Sequence, residues 1–283
     1  MKRLYFLSIV TIISVLMFNS TLLVTVEAAS KATVNEVTFE ALSFSFKGPD
    51  TIPAGLTSVQ IVNKGVDLHH IQLIRLTDGK TAEDFSMAVK DPKFMINPPA
   101  WTKFVGGPNG AIPGESVTAI LKLEPGNYVL TCLIPDAKGV MHAVLGMVKP
   151  LKVTNSMESG PSEPMASINI TAMDFNFAID KPLTAGTQTI RFTNSGMQPH
   201  EVLVVQLPPD KTIKDFAAAF EPGHSGPPPG KPIGGLVGID KSGHAFFTAK
   251  FEPGRYGLIC FFKDQTKEAP HFALGMTNEF TIK

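Results

Sequence analysis

Residues 124–147 read EPGNYVLTCLIPDAKGVMHAVLGM, and residues 252–276 read EPGRYGLICFFKDQTKEAPHFALGM. Both stretches begin with Glu-Pro-Gly-x-Tyr, place a cysteine four residues after the tyrosine, and carry a histidine and a methionine further on. The segment around each cysteine is apolar and rich in aromatic and β-branched residues, which is typical of a strand. Turn-forming residues follow. Each stretch therefore predicts a late strand and a loop that carries sulfur and imidazole groups.

Each half of the chain also has an earlier histidine that comes four residues after a glycine. GVDLH ends at His69 and GMQPH ends at His200. One thiolate, two imidazoles and one thioether are the ligand types of a blue-copper electron-transfer site. The chain offers this set twice. The candidate metal ligands are His69, Cys132, His142, Met147, His200, Cys260, His271 and Met276.

The composition favours an exported, turn-rich β protein of two domains. The chain has 283 residues, 24 glycines, 23 prolines and a formal net charge of zero. This length suits two domains of ordinary size, and the glycine and proline content is typical of an all-β fold. The balanced charge provides no basic surface, so we expect no nucleic acid among the partners.

The two halves align along most of their length, which predicts duplication of a whole domain. Residues 44–46 (FSF) pair with residues 175–177 (FNF), and the Gly-Gly pairs at 106–107 and 234–235 also correspond. We read the Gly-Gly pairs as turn and fold markers. Residues 155–164 (NSMESGPSEP) have the composition of a linker. We therefore predict one domain over 31–154 and a second over 165–283.

Alternating and β-rich segments predict four strands in each half, and one short helix interrupts each set. KTAEDFSMAVK (80–90) opens with Thr-x-x-Asp, and KTIKDFAAAF (211–220) has helical apolar spacing. We interpret these inserts as surface caps, and Met87 and Met95 as packing residues. The predicted strands are 57–63, 70–76, 116–123 and 127–134 in the first half, and 187–194, 201–207, 245–251 and 255–262 in the second.

The N-terminus predicts export from the cytoplasm. Lys2 and Arg3 precede an apolar run over 4–26, and small residues around Ala28 offer a cleavage site, so 1–28 is expected to be a signal peptide. The run is long enough that an uncleaved membrane anchor stays an alternative. In an exported protein, Cys132 and Cys260 also predict a disulfide. Their equivalent places in two repeats argue against one, since bridged Cα atoms lie within about 7 Å.

On these residues, each half resembles a cupredoxin domain, the fold of plastocyanin-like blue copper proteins. The motif G-x-x-x-H followed by C-x(9 or 10)-H-x4-M carries the resemblance. It implies two tandem Greek-key β-sandwiches, all-β apart from the short helical insertions. It also implies up to two copper ions. His69, Cys132, His142 and Met147 are the implied ligands of one, and His200, Cys260, His271 and Met276 those of the other.

The residue after the first histidine departs from the family pattern. Cupredoxins commonly have a polar residue there, often asparagine, that helps to fix the ligand loops. His70 and Glu201 occupy these positions. Either His69 or His70 can therefore serve as the first ligand, although the glycine spacing favours His69. How the ligand loops are fixed is left open.

The motifs absent from the chain predict that it is not an enzyme. Multicopper oxidases have His-x-His pairs, and copper nitrite reductase has a histidine directly before the cysteine. Thr131 and Ile259 fill that place in this chain. We therefore expect single-electron transfer with a redox partner protein that docks over the histidine–methionine loops. Three alternatives stay open: copper storage or delivery outside the cytoplasm, a metal-free β-sandwich interaction module, and membrane association through an uncleaved N-terminus.

Overall fold

The computed structural model describes residues 34–156, 161–221 and 227–283, together with Met1. The rest of the predicted signal segment 1–28, and part of the predicted linker 155–164, lie outside these residues. Both repeats belong to one compact unit that extends from Ala32 to Lys283. Within the described ranges, no helix has the length and apolar character needed to span a bilayer.

The described residues are dominated by short β-strands. The first half contains β1 (Asn35–Ala41), β2 (Phe46–Lys47), β3 (Thr51–Pro53), β4 (Gly55–Asn63), β5 (Gln72–Leu76), β6 (Thr102–Gly106), β7 (Ser116–Leu123), β8 (Gly126–Thr131) and β9 (Val148–Thr154). The second half contains β10 (Ile168–Met173), β11 (Asn176–Ile179), β12 (Gly186–Asn194), β13 (His200–Leu207), β14 (Lys231–Ile239), β15 (His244–Phe251), β16 (Gly254–Ile259) and β17 (Thr277–Ile282). The all-β prediction is confirmed.

These strands form two sheets that run through both halves. One sheet has the order β11-β10-β12-β15-β7-β4-β1-β2, and the other has the order β17-β16-β13-β14-β6-β5-β8-β9-β3. Each half thus contributes strands to both sheets, and its two sets of strands form the two layers of a sandwich. The halves meet where equivalent strands pair antiparallel, β7 with β15 and β6 with β14. Pairing of equivalent elements across an interface is the arrangement of a two-fold symmetric contact.

The turn before each cysteine strand is fixed by the tyrosine of the repeated Glu-Pro-Gly-x-Tyr motif. The Tyr128 hydroxyl donates to the Glu124 carbonyl at 2.8 Å, and the Tyr256 hydroxyl donates to the Glu252 carbonyl at 2.8 Å. Both tyrosine rings are buried. The motif therefore anchors the chain where it crosses from one sheet to the other, at β7–β8 and β15–β16.

The helical insertions form as predicted and lie beside the second sheet. They are α1 (Ala82–Ala88) and α2 (Ile213–Ala218), and each begins with a capping box, Thr81 with Asp84 and Thr212 with Asp215. Reciprocal capping satisfies two backbone N–H groups that a helix start leaves unpaired. Met87 is 66% exposed, so its predicted packing role is wrong, whereas Met95 packs against the core. The side chain of Met87 lies on the solvent side of α1.

Strand β13 shows that the alternation of buried and exposed residues does not hold for every strand of this fold. Seven of its eight residues are buried, with no alternation. Leu203, Val205 and Leu207 pack against Ile213 and Phe216 of α2, while the other face meets the sandwich core. A strand that is covered on both faces has no polar side.

The Gly-Gly pairs lie at close backbone approaches in the sheet, so their interpretation as turn markers is wrong. A Cβ on Gly107 would stand 2.0 Å from the Ile71 carbonyl oxygen, and one on Gly235 would stand 2.1 Å from that of Val202. The paired strands change register nearby, between Leu73 and Ile74 in the first half. Glycine at such bulges allows the backbones to approach.

Replacing Gly235 with alanine is expected to destabilise the fold strongly. The added Cβ overlaps the Val202 carbonyl oxygen on a backbone with φ of +149°. Overpacking costs about 1–3 kcal/mol and a strained backbone about 1–3 kcal/mol more. The measurement is the free energy of unfolding in urea. Gly114→Ala is the control, because Gly114 has φ of +81° but no atom within 4 Å of an added Cβ, and a loss of about 1 kcal/mol is expected there. Equal losses would contradict the close-approach explanation.

Candidate metal centres

The first half brings one thiol and two imidazoles together at the end of the sandwich. The donor atoms of His69, Cys132 and His142 all lie within 4.8 Å of one another, and all three side chains are buried. Cys132 Sγ is 3.5 Å from His142 Nδ1, and the two imidazole centroids are 4.9 Å apart. His70 is outside this group, so the geometry favours His69 as the first donor.

The second half repeats this arrangement with nearly the same dimensions. His200, Cys260 and His271 form a buried group whose donor atoms also lie within 4.8 Å of one another. Cys260 Sγ is 3.5 Å from His271 Nδ1, and His200 Nδ1 is 3.1 Å from His271 Nδ1. Two ring nitrogens this close can share one proton or face one cation. The repeated geometry therefore marks two separate sites.

The loop after each cysteine strand holds three of the four predicted donors through its backbone. Strand β8 ends at Thr131, one residue before Cys132, so the predicted strand over 127–134 is too long. Cys132 N–H donates to the Met147 carbonyl at 3.3 Å, and Met147 N–H donates to the His142 carbonyl at 2.9 Å. Leaving the ladder frees the cysteine backbone for these loop contacts. Both Met147 and Met276 are fully buried.

The same backbone pattern recurs in the second half. Cys260 N–H donates to the Met276 carbonyl at 3.3 Å, and Met276 N–H donates to the His271 carbonyl at 2.9 Å. Ala143 N–H and Phe272 N–H donate to the preceding cysteine carbonyls at 2.8 and 3.0 Å. Because main-chain groups make these bonds, the side chains of the loop stay available for other contacts.

The ring of each early histidine packs closely against the glycine of its own G-x-x-x-H motif. A Cβ on Gly65 would stand 2.8 Å from His69 Nε2, and one on Gly196 would stand 2.5 Å from His200 Nε2. This close approach explains the spacing of the G-x-x-x-H motif. An asparagine at the end of the preceding strand fixes each turn: Asn63 Oδ1 accepts from Gly65 N–H at 2.8 Å, and its Nδ2 donates to two carbonyls. Asn194 makes the equivalent bonds.

His70 and Glu201 fix the cysteine loops from equivalent positions. His70 Nε2 accepts from Leu133 N–H at 2.9 Å, and Glu201 Oε1 accepts from Phe261 N–H at 2.8 Å. Leu133 and Phe261 each follow a cysteine directly. A neutral imidazole nitrogen and a carboxylate oxygen can both accept such a bond. His70 and Glu201 therefore fix the two cysteine loops in the same way, although their side chains differ.

An aromatic ring covers each late histidine. Phe44 packs edge-on against His142 with centroids 5.2 Å apart, and Phe175 packs in the same way against His271 at 5.3 Å. Edge-to-face packing is a favoured aromatic geometry. These rings limit access of water to the imidazoles. The signal for this role was present in the sequence as the paired FSF and FNF segments, although it did not identify the contact.

The thiols are buried, separate and protonated in the metal-free chain. Cys132 and Cys260 are both free, so they form no disulfide, as their equivalent places in the two repeats indicated. Burial raises the pKa of Cys132 to about 12 and raises that of Cys260 well above its ordinary value. A metal that binds at either site must therefore displace a proton, because the thiolate is the ligand.

The imidazoles stay neutral at neutral pH. Burial foremost, together with the neighbouring histidine in each pair, lowers the pKa of His69 and of His271 to about 4. Burial also lowers the pKa of His142 and of His200. Neutral imidazole nitrogens keep the lone pairs that a metal needs. Protons therefore do not compete for these donors near neutral pH.

The donor atoms fit copper. Within the described ranges, both ring nitrogens of His69 are buried and have no hydrogen-bond partner, and the same holds for Nε2 of His142 and of His271. Buried polar atoms normally have partners, so such atoms indicate a ligand that the protein groups do not replace. A soft sulfur with two imidazoles suits copper, and a nearby methionine is typical of blue-copper sites. The chain can hold up to two copper ions, one in each group.

Two β-sandwich repeats, each with a His/Cys/His group at the same end of its strands, decide the classification of the fold. The chain has a cupredoxin-like fold with two tandem domains. The prediction drawn from the repeated motif is confirmed. That all eight predicted residues bind metal stays a prediction. The exact domain boundaries also stay a prediction.

Several solved structures show similarity to parts of this chain. No protein-family model matches the chain, and no curated protein matches it. Auracyanin from Roseiflexus castenholzii is 22% identical, covers 41% of this chain and 94% of its own, and has a TM-score of 0.29. The copper nitrite reductase of Thermus scotoductus is 13% identical over 89% of this chain and 62% of its own, with a TM-score of 0.25. The blue copper oxidase of Nitrosomonas europaea is 16% identical over 88% of this chain and 84% of its own, with a TM-score of 0.24.

These matches correct the prediction that the chain is not an enzyme. Nitrite reductase and multicopper oxidases are enzymes, and their structures match 88–89% of this chain. The prediction rested on the absence of His-x-His pairs and on the residues before the cysteines, Thr131 and Ile259, which stand where copper nitrite reductase has histidine. That replacement removes one way to hold a second kind of copper in each half, and it says nothing about other arrangements. The prediction is withdrawn.

Two residues near the sites were missed by the sequence interpretation. Asp174 Oδ1 lies 2.9 Å from His200 Nε2, and Asn109 Nδ2 donates to Glu201 Oε2 at 3.3 Å across the two halves. Asp174 has Ser43 as its counterpart, so the repeat did not signal it. Asn109 acts on the other half of the chain, which a comparison within each repeat does not detect.

Copper binding is expected to become tighter as the pH rises. Each thiol carries a proton in the metal-free chain and loses it on binding, whereas the imidazoles with a pKa of about 4 are already neutral at pH 6. The association constant for Cu(I), measured without oxygen against a competing chelator, should rise about tenfold per pH unit between about pH 6 and 8.

The number of protons released on copper binding also tests whether the thiols are protonated before the metal binds. An indicator dye in weakly buffered solution should report about one proton released per bound Cu(I). The Cys132→Ser, Cys260→Ser double variant is the control and should release none. Binding without proton release in the natural chain would contradict buried, protonated thiols.

Replacing His69 with alanine is expected to remove copper from the first half, whereas His70→Gln should leave it bound. The His69 ring belongs to the donor group, and the His70 ring accepts from Leu133 N–H, a bond that a glutamine oxygen can also accept. Copper per chain, measured by atomic absorption after dialysis, should fall by one ion in the first variant only. Loss of copper in His70→Gln with retention in His69→Ala would reverse the assignment.

Proposed function

We propose that this protein passes single electrons and holds two copper ions, one in each half. The observation that carries the proposal is the repeated placement of a buried thiol 3.5 Å from an imidazole nitrogen, with a second imidazole in the same group. Copper in such a site changes between Cu(I) and Cu(II) and so carries one electron. A second copy of the geometry supports two centres rather than one.

The chain contributes a rigid and dry set of donors. The cysteine and late-histidine backbones are tied to each other through Met147 in the first half and through Met276 in the second. All six grouped side chains are buried. Donors that are held in place by the fold need little rearrangement when charge changes, which lowers the cost of transferring an electron. The contribution of the protein is therefore preorganisation.

A redox partner protein is proposed to dock at the histidine end of each half. In the first half, Phe44, Val66 and Leu145 are exposed around the buried His142, with exposures of 37, 79 and 40%. Phe44 contacts the His142 ring directly. A small apolar patch suits a weak and transient contact. Ala143, in the same loop, is buried and cannot take part.

The corresponding surface in the second half has a different composition. Met197 is 68% exposed and Met173 is 39% exposed, while Leu274 is only partly exposed. The Lys267 ammonium lies 5.0 Å from the centroid of Phe175, which packs on His271. A flexible, methionine-rich surface with a nearby cation differs from the first patch. This difference supports two distinct partners.

Export from the cytoplasm is part of the proposal. Lys2 and Arg3 precede the apolar run over 4–26, which is the sequence pattern of a signal segment. Two free, buried cysteines are compatible with an oxidising compartment, because burial limits access of oxidants to the sulfur. Fractionation of cells that produce the full chain tests the location. Recovery of the protein solely in the cytoplasm would contradict export.

The copper content and visible spectrum of cysteine variants test the proposed function. The oxidised natural chain should bind two copper ions and show the intense visible band of copper–thiolate bonding. Cys132→Ser and Cys260→Ser should each lose one ion and about half of the band, because each removes one thiolate. The double variant should lose the band completely.

A redox titration separates electron transfer from the other candidate functions. A small reductant should bleach the visible band with one electron per copper, and reoxidation should restore it. A storage protein would bind Cu(I) without a reversible visible band, and a metal-free interaction module would retain no copper. Either of those results would contradict the proposal.

A further inference from the structure

The two sites differ in the contact on the far side of the early histidine. His200 Nε2 lies 2.9 Å from Asp174 Oδ1, while His200 Nδ1 faces His271. In the first half, Ser43 takes the position of Asp174, and His69 Nε2 is buried with no hydrogen-bond partner in the described part of the chain. Among the described residues, therefore, only the second half pairs its early donor histidine with a carboxylate.

Asp174 is fixed in place and charged near neutral pH. Its two carboxylate oxygens accept from Met197 N–H at 2.9 and 3.2 Å, in addition to the His200 contact. Partial burial raises the pKa of Asp174, but these hydrogen bonds, the one to His200 foremost, more than offset the effect and the net pKa is lowered. The side chain is one-third exposed, so solvent screens part of its charge. The carboxylate nevertheless stays within hydrogen-bond distance of His200 Nε2.

A carboxylate in this position raises the basicity of the other ring nitrogen. A more basic imidazole stabilises the doubly charged oxidised metal more than the singly charged reduced one. The second-half centre should therefore have the lower reduction potential, since hydrogen bonding to a ligand is one of the ways in which a protein tunes a redox metal. In the first half, His69 lacks this support.

A chain of polar side chains joins the two cysteine loops across the contact between the halves. Leu133 N–H donates to His70 Nε2, and Phe261 N–H donates to Glu201 Oε1. Asn109 Nδ2 donates to Glu201 Oε2 at 3.3 Å, and Asn109 lines the same cavity as His70. Asn109 therefore bridges the space between the two side chains that anchor the cysteine loops. Each end of the chain is one peptide bond from a cysteine.

We propose that electrons move in one direction through this protein, from the second-half centre to the first-half centre, along the chain formed by Glu201, Asn109 and His70. Asp174 is the positioning residue that makes the second half the donor. In each transfer one electron leaves the second-half centre and one arrives at the first-half centre, and no proton moves. This inference rests on the proposed function, which supplies the two copper ions.

The potentials of the isolated centres test the direction. Cys132→Ser leaves only the second-half centre, and Cys260→Ser leaves only the first, so each potential is measured alone by spectroelectrochemistry. The second-half potential should be the lower one. Equal potentials, or the reverse order, would overturn this proposal while leaving the proposed function in place. Absence of any reversible couple in both variants would overturn both.

Asp174→Asn in the Cys132→Ser background tests the cause. The Cu(II) affinity of the second-half centre should fall about 10- to 100-fold, with a smaller change for Cu(I). Each tenfold change in the ratio of the two affinities raises the potential by about 59 mV for a one-electron couple. Asp210→Asn is the matched control, because Asp210 is an exposed carboxylate of the same half that pairs only with Lys211 among the described contacts. It should change neither quantity.

Asp174→Glu gives a second measure if the amide variant binds no copper. It keeps a carboxylate on a longer side chain, and partial retention of the low potential is expected. An unchanged potential in Asp174→Asn, or the same shift in Asp210→Asn, would show that the His200 contact does not set the difference between the centres.

Asn109→Leu tests the route. It removes the link between His70 and Glu201 while both cysteine loops keep their own anchors. After rapid partial reduction of the copper-loaded chain, transfer between the centres should be slower than in the natural chain. Gln72→Leu is the control, because Gln72 Nε2 also bonds across the halves, to the Gly238 carbonyl at 2.9 Å, outside the chain of polar side chains.

Unchanged spectra and potentials of both centres in these two variants show that the fold is intact. Equal transfer rates in Asn109→Leu and the natural chain would overturn the proposed route. If Asn109→Leu does not fold, Asn109→Asp takes its place. Aspartate has nearly the same size but cannot donate to Glu201, so slower transfer is again expected.

Discussion

The structure depends on placing a thiol and two imidazoles together in the interior, where some of their polar atoms stay unpaired. Cys132 Sγ and His142 Nδ1 are 3.5 Å apart, and neither nitrogen of His69 has a hydrogen-bond partner among the described residues. Burying polar atoms without partners costs free energy, which the rest of the sandwich must offset. The backbone bonds of the cysteine loop, the glycine under the early histidine and the phenylalanine over the late one all serve this single constraint.

Each half also has strand edges that only the other half covers. Equivalent strands pair across the contact, β7 with β15 and β6 with β14, so both sheets continue through the molecule. This pairing covers strand edges that would otherwise expose unpaired backbone groups. It also places Asn109 of the first half against Glu201 of the second. Duplication therefore provided a second site and a connection between the two.

The sequence was sufficient to predict the all-β fold, the helical insertions and the grouping of His69, Cys132 and His142, because these depend on local patterns that occur twice. It did not predict where the strands end, since Cys132 leaves its ladder for bonds to Met147 that are distant in sequence. It did not identify Asp174, because the counterpart of this residue in the other repeat is Ser43. The interpretation of the Gly-Gly pairs as turn markers was wrong, because glycine is favoured both at a bulge and in a turn.

X-ray absorption of the copper-loaded chain tests the central claim most directly, because it reports the atoms bound to the metal. The account predicts that each copper has one short bond to a thiolate sulfur and two bonds to imidazole nitrogens, in the natural chain and in each single-cysteine variant that retains one ion. A spectrum with only nitrogen and oxygen neighbours, or with both sulfurs on one copper, would contradict it.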